Sequence, residues 1–240
     1  MFITLDLLFK LLPVFYNVSK EDEYLFQGKR RRLVDVLKTK GIKDSKVLSA
    51  IEKIPRHLFF DTSTARPALL DHAYSDKALP IGAGQTISQP YTVAFQTEQL
   101  EIKPGEKVLE IGTGCGYQTA VLLEVGAKVY SIERQKTLFD KTKLFLPYIG
   151  YSGAKLIYGD GYKGLPLYAP YDKIIVTAGA PYIPNDLLQQ LKVGGILLIP
   201  LGEGQTQEMV WLKKMSESNF DKKVLGSFKF VPLLQNKSGS

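Results

Sequence analysis

Two short stretches of the chain carry residue types and spacings that could do chemistry. The first is KVLEIGTGCG over 107–116, where Gly112, Gly114 and Gly116 strip β-carbons from a turn that follows the apolar Val108, Leu109 and Ile111. Backbone without β-carbons lets a ligand come close to its N–H groups. Three acids are spaced around this turn: Glu110 just before it, Glu133 further on, and Asp160 between Gly159 and Gly161. An acid about 20 residues past such a turn suits an acceptor for ribose hydroxyls. The second stretch is LPIGAGQTISQPYTVA over 79–94, where Gln85, Thr86, Ser88 and Gln89 crowd amides and hydroxyls between glycines and a proline. Such groups orient a polar or anionic ligand by hydrogen bonds; none of them is a base. The plainer alternatives are a glycine turn that only packs helix on strand and a polar connecting loop.

These residues need a scaffold. Ala120, Val121, Leu123 and Val125 recur at helical spacing and predict a helix over 117–125. Strand, glycine turn and helix make the nucleotide-binding half of a doubly wound sheet. Further strands are expected over 128–132, 155–158, 173–176 and 195–200, with helices over 91–100, 135–146 and 184–191. Residues 208–214 and 227–232 read as a final antiparallel pair, and 237–240 as a frayed tail. Upstream, Leu33, Val34, Val36 and Leu37 predict an amphipathic helix ended by Gly41; Lys29 to Arg32 is read as its solvated face rather than a phosphate contact. Asp44 or Ser45 caps the next helix, which presents Val47, Leu48, Ile51 and Ile54 on one side and stops at Pro55.

The expected fold class is therefore α/β: a doubly wound, mostly parallel Rossmann-like sheet with an antiparallel C-terminal strand and a small helical N-terminal extension. Residues 1–22 form an extension whose role is open. Residues 23–240 form one domain, divided into a helical start (23–77), a substrate loop (78–94), a cofactor-binding core (104–202) and C-terminal strands (207–234).

Composition narrows the function classes. The chain has a net charge of +7, which favours acidic partners such as carboxylate-rich peptides, nucleic acid or a membrane surface. Cys115 is the only cysteine, which excludes an intrachain disulfide and fits a reducing compartment. The only histidines, His57 and His72, sit beside no nucleophile and at no metal spacing, so His57 is read as structural. The apolar run over 2–16 is too short to span a bilayer and lacks the basic start and cleavage site of a signal peptide. It reads as an arm packed on the body or on a second subunit. The cytoplasm is the expected location, with periplasmic export as the minor alternative.

Glycine turn, acid after the second strand and acid after the third resemble the class I S-adenosylmethionine-dependent methyltransferases. The Gly-x-Gly-x-Gly spacing differs from the Gly-x-Gly-x-x-Gly of a nicotinamide site. The fourth strand ends in Thr177-Ala-Gly-Ala-Pro181, without the Asn/Asp-Pro-Pro-aromatic motif of amino-methylating nucleic-acid enzymes. The stretches at 78–94, 108–122, 158–164 (YGDGYKG), 171–178 (YDKIIVTA), 191–202 (LKVGGILLIPLG) and 230–234 (FVPLL) together resemble the protein-L-isoaspartate O-methyltransferases, and IEKIPRHLF over 51–59 is similar to their helical start. Cys115 stands where that family usually has serine, a small-for-small exchange.

The resemblance implies methyl transfer from S-adenosyl-L-methionine to the free carboxyl of L-isoaspartyl residues, with S-adenosyl-L-homocysteine as product. It implies Ser88 as catalytic, and Gln85, Thr86, Ser88 and Val231 as substrate-binding. Glu110, Gly112 and Gly114 would shape the methionine end of the cofactor site, Glu133 would accept from the ribose, and Asp160 with Gly161 would lie by the adenine. Implied partners are flexible isoaspartyl polypeptides, with no nucleic acid, membrane or metal, and the chain a monomer or weak homo-oligomer. Rival readings are a methyltransferase of another carboxylate or of RNA, a nicotinamide oxidoreductase, and a non-catalytic binder.

Overall fold

A computed structural model describes residues 20–60 and 70–239. The extension expected over 1–22 lies outside the described residues as far as position 19. Helix α1 (Lys20–Thr39) starts earlier than its apolar spacing required and buries Phe26, Leu33, Val34 and Leu37 along one stripe. Helix α2 (Ser45–Lys53) is capped by Asp44, whose carboxylate accepts from Lys46 N–H at 2.8 Å and Val47 N–H at 3.3 Å. It packs Val47, Leu48 and Ile51 into the same core as α1.

Strands β1 (Leu79–Gly82) and β2 (Gln85–Ile87) form an antiparallel hairpin through Ala83 and Gly84. The sequence had read this stretch as irregular loop. Its strands are too short, and too interrupted by proline and glycine, to show an alternating pattern. Helix α3 (Pro90–Gln99) then leads into the main sheet.

That sheet holds β3 (Lys107–Ile111), β4 (Lys128–Glu133), β5 (Lys155–Tyr158), β6 (Tyr171–Val176), β7 (Leu191–Leu201), β8 (Gln207–Lys214) and β9 (Phe220–Phe228). The spatial order is β5-β4-β3-β6-β7-β8-β9; β5 through β7 are parallel, and β8 and β9 each run antiparallel to the preceding strand. Side chains alternate between two cores. Val108, Val129, Ile175 and Leu198 face one; Leu109, Ile132, Ile174 and Leu197 face the other. Helices α4 (Tyr117–Glu124), α5 (Lys136–Tyr148) and α6 (Asn185–Gln190) supply the crossovers. Because β3 lies between β4 and β6, the chain leaves it in both directions, and a crevice opens above its carboxyl end.

Two expectations at the C-terminus are corrected. The partner of β8 is residues 220–228, not 227–232: Met215 N–H bonds Asn219 O at 2.8 Å, so the chain reverses early. Strand β9 is the sheet edge and mostly exposed, with Asp221, Lys222 and Lys223 in its first half, so its apolar signal is weak. Residues 237–239 are not a frayed tail. Ser238 N–H bonds Arg134 O at 2.9 Å, and Ser238 O accepts from Tyr158 Oη at 3.0 Å. No helix among the described residues is long and apolar enough to cross a membrane.

Replacing Asp44 with Ala removes the only side-chain cap of α2, and unfolding in urea is expected to show a loss of about 1 kcal/mol.

Candidate active site

The crevice above β3 is a cleft of ≈ 820 Å³, part of it open to solvent. The glycine turn forms its floor. At Gly112 φ is +99°, and a β-carbon there would lie 2.4 Å from Thr177 Oγ1. Thr177, at the end of β6, uses that hydroxyl to donate to Gly112 O at 2.8 Å. Beyond the turn, Gly116 occupies the left-handed region as the N-cap of α4, where a β-carbon would meet Leu146 and Thr142 at 2.9 Å.

Glu133 ends β4 and lies on the cleft wall, nearly buried. Its carboxylate accepts from Gly114 N–H at 2.8 Å and from Gln135 N–H at 2.7 Å. Burial raises its pKa, and those N–H donors oppose the shift. Each oxygen keeps lone-pair capacity for a further donor. The fourth wall is the substrate stretch: Gln85, Thr86, Ile87 and Ser88 face the turn across the cleft, and Val231 to Leu234 close the side. A turn with no room for a side chain at Gly112 and an acceptor at the second strand end fit the methionine and ribose parts of S-adenosylmethionine.

The structure thus brings Gln85, Thr86, Ser88, Gly112, Gly114, Glu133, Gly161 and Val231 to one cleft. Two expected residues stand apart. Glu110 is fully buried beneath the turn and accepts from Thr119 Oγ1 at 2.5 Å; it ties β3 to α4 and does not line the cleft. Asp160 holds Tyr162 N–H at 3.0 Å and Asn236 N–H at 2.9 Å, so its carboxylate pins the C-terminal segment while its neighbour Gly161 lines the wall. At Val231 the carbonyl accepts from Gly179 N–H at 2.8 Å, and Phe230 N–H is held by Gln207 Oε1 at 2.9 Å. Both groups are spent on the fold, so only the rest of this backbone is left to pair with a peptide.

Sequence reading missed Thr177 and Arg134 on the walls, and Arg56 behind them. Thr177 had a signal, a hydroxyl at the end of a strand next to the glycine turn. Arg56 had none, because the carbonyls it binds are scattered along the chain. His57 is structural, as read: its Nδ1 pairs with Tyr74 Oη at 2.7 Å, its ring stacks on Phe26 at 4.0 Å, and burial pushes its pKa down to about 4. Among the described residues no group of His, Cys, Asp and Glu could hold a metal ion.

A parallel sheet with its ligand cleft at the switch point, floored by a glycine turn and flanked by an acid at the second strand end, defines a Rossmann-like nucleotide-cofactor site of the methyltransferase kind. Comparison with known proteins narrows this. The sequence profile described as protein-L-isoaspartate(D-aspartate) O-methyltransferase matches residues 28–238, and the chain belongs to that family. The protein-L-isoaspartate O-methyltransferase of Christiangramia forsetii is 63% identical over 218 residues, 91% of this chain and 100% of that one. The Flavobacterium psychrophilum protein of the same name is 61% identical, covering 88% and 97%. A solved structure of a protein-L-isoaspartate O-methyltransferase superposes with a TM-score of 0.78 at 30% identity, over 86% of this chain and 66% of that chain. A second, from Plasmodium falciparum in complex with S-adenosyl-L-homocysteine, gives a TM-score of 0.73 at 26% identity over 86% and 99%.

Burial lifts the Glu110 pKa from 4.5 to about 7. The folded protein therefore keeps a proton that the unfolded chain releases between those values. The contribution of Glu110 to stability falls as pH rises through that window, by about 3 kcal/mol in all. The buried, neutral His57, with its pKa lowered to about 4, contributes in the opposite sense, so Glu110→Gln is expected to make the urea-unfolding free energy rise more steeply with pH than in the parent between about pH 5 and 7.

Proposed function

We propose that this protein transfers a methyl group from S-adenosyl-L-methionine to the free carboxylate of L-isoaspartyl residues in damaged, flexible polypeptides. Family membership over most of the chain supports the reading. The observation that carries it in the structure is that Thr86 and Ser88 line one cleft together with the glycine turn, and that among the described residues no histidine lines it.

S-adenosylmethionine, when bound, supplies a methyl group on a cationic sulfonium. A carboxylate acceptor already carries its negative charge, so the chain has no proton to remove. Its task is to align the reactants and exclude water. Ser88, half-buried on the rim, offers one neutral hydroxyl to an acceptor oxygen. Stronger donors would hold the carboxylate's charge in the ground state, where it must be given up as the new bond forms. Thr86 and the backbone of Gln85 to Ser88 would frame the acceptor, Glu133 would accept from the ribose, and Gly112 and Gly114 would leave room for the donor beside the turn. We assign Ser88 a positioning contact with the substrate, not a nucleophilic role. The single cysteine agrees with action in the cytoplasm, as a monomer or weak homo-oligomer.

Base-labile methyl incorporation is expected into an isoaspartyl peptide and not into its aspartyl twin. Equal labelling of both peptides, or labelling of RNA instead, would replace this reading. Ser88→Ala should lower kcat at least about tenfold, or 1.4 kcal/mol, while calorimetry finds S-adenosyl-L-homocysteine bound as in the parent. An unchanged kcat removes Ser88 from the mechanism.

A further inference from the structure

Arg56 is buried without a counter-ion. Its side chain is 0% exposed, at the start of the short turn Arg56–Phe59 that follows Pro55. Its guanidinium donates to backbone carbonyls, Nε to Ala73 O at 3.0 Å and Nη2 to Ser88 O at 2.9 Å and Lys77 O at 3.4 Å, and it also interacts with the Tyr117 hydroxyl. The plane lies 4.7 Å from the ring centroid of Tyr117 and 5.7 Å from that of Phe60. Nη1 has no partner among the described residues. Desolvation lowers its pKa, opposed by the facing tyrosines and Cys115.

A cation held by carbonyl dipoles and tyrosine, with no carboxylate beside it, is a costly thing to bury. An apolar side chain would fill that volume with less penalty, so packing alone does not account for arginine here. Its contacts do. They join three pieces distant in sequence: the segment Ala73–Lys77, the carbonyl of Ser88, and Tyr117, the first residue of the helix that leaves the glycine turn. Tyr117 and Ser88 both line the cleft. One planar group therefore spans from the cofactor side of the site to the backbone of the residue that meets the acceptor. On the far side of Ser88 the loop is held by Asp76, which accepts from Gln89 Nε2 at 3.0 Å and Tyr91 N–H at 2.7 Å.

We infer that Arg56 is a positioning residue for Ser88: it fixes the Ser88 backbone relative to Tyr117 and so sets where the Ser88 hydroxyl stands over the cleft. Its kinetic consequence rests on the proposed role of Ser88; its structural consequence does not. Lysine at this position keeps a cation but cannot reach two separated carbonyls with one planar fork, and glutamine keeps a donor without the charge.

The test uses Arg56→Lys and Arg56→Gln in the full chain. Hydrogen–deuterium exchange should accelerate at least tenfold in peptides covering 85–91 while β3 peptides covering 107–111 stay as slow as in the parent. S-adenosyl-L-homocysteine affinity should stay within threefold. The kcat for an isoaspartyl peptide should fall about tenfold in the parent background and less than twofold when Ser88→Ala is already present, because two residues acting through one contact do not add. Unchanged exchange at 85–91 overturns the inference whether or not the peptide is methylated. Exchange that rises equally throughout the sheet, failure of both variants to fold, or a full tenfold loss in the Ser88→Ala background makes Arg56 a core determinant and overturns it too. Absent methylation in the parent, with local exchange in the variants as expected, instead counts against the proposed function and leaves the positioning of Ser88 standing.

Discussion

No atom can be added at Gly112. Its N–H bonds Ile132 O at the end of β4, its carbonyl takes the Thr177 hydroxyl at the end of β6, and a side chain would collide with that hydroxyl. Three strand ends are thereby drawn to one backbone unit. The crevice between them has a fixed width because the turn is bonded on both flanks. Everything that faces the cleft is placed relative to this point: the acid at the end of β4, the hydroxyl loop opposite, and the C-terminal wall.

Three ionisable side chains are buried around this turn, and each binds two elements together. Glu110 joins β3 to α4 through Thr119. Glu133 joins the end of β4 to the glycine turn through Gly114 N–H. Arg56 joins the helical start to the hydroxyl loop. Each has a desolvation cost, which appears as a raised pKa for the two acids and a lowered one for the arginine. A charged group is a poor filler but a directional one. It accepts few geometries, so elements far apart in sequence are set in one arrangement. The Thr113–Ser131 hydroxyl pair beside Glu110, at 2.6 Å, continues the same polar seam under the floor of the cleft.

The parallel strands were legible because buried strands read as apolar runs, and their expected bounds lie within a few residues of β3 to β7. The glycine turn and Glu133 were legible because their chemistry is local to strand ends. Legibility failed where side-chain pattern carries little information. The β1–β2 hairpin is too short, and β9 is an exposed edge whose lysines conceal its alternation. The tail is held by backbone hydrogen bonds of Asn236 and Ser238, which no side-chain type announces. Glu110 and Asp160 were placed at the cofactor by the resemblance, in register with the glycine turn. Spacing places a carboxylate near a turn but does not say which side of the sheet it faces. In Glu110 it faces the core, where alternation from Leu109 and Ile111 would have sent it. Arg56 was invisible for the opposite reason: its type was plain, but its partners are carbonyls, which every residue has.

What the cleft lacks constrains its chemistry as much as what it holds. Its ionisable walls are Cys115, Tyr117, Glu133 and Arg134. Burial lifts the thiol to about 11 and the phenol to about 12, so both stay protonated near neutrality and neither can serve as a base. Arg134 cannot give up a proton, and it is turned to the carbonyls of Gln235 and Asn236. Glu133 already accepts from Gly114 and Gln135 N–H, and its remaining capacity is assigned to the ribose. An acceptor that must be deprotonated during the reaction, such as an alcohol or a phenol, would find no ready base among these four groups. An acceptor that arrives as an anion needs none. The hydroxyls of Thr86 and Ser88 then suffice if their backbone is held still, and Ser88 O is bonded by Arg56 Nη2 while Asp76 holds Gln89 and Tyr91 just beyond it.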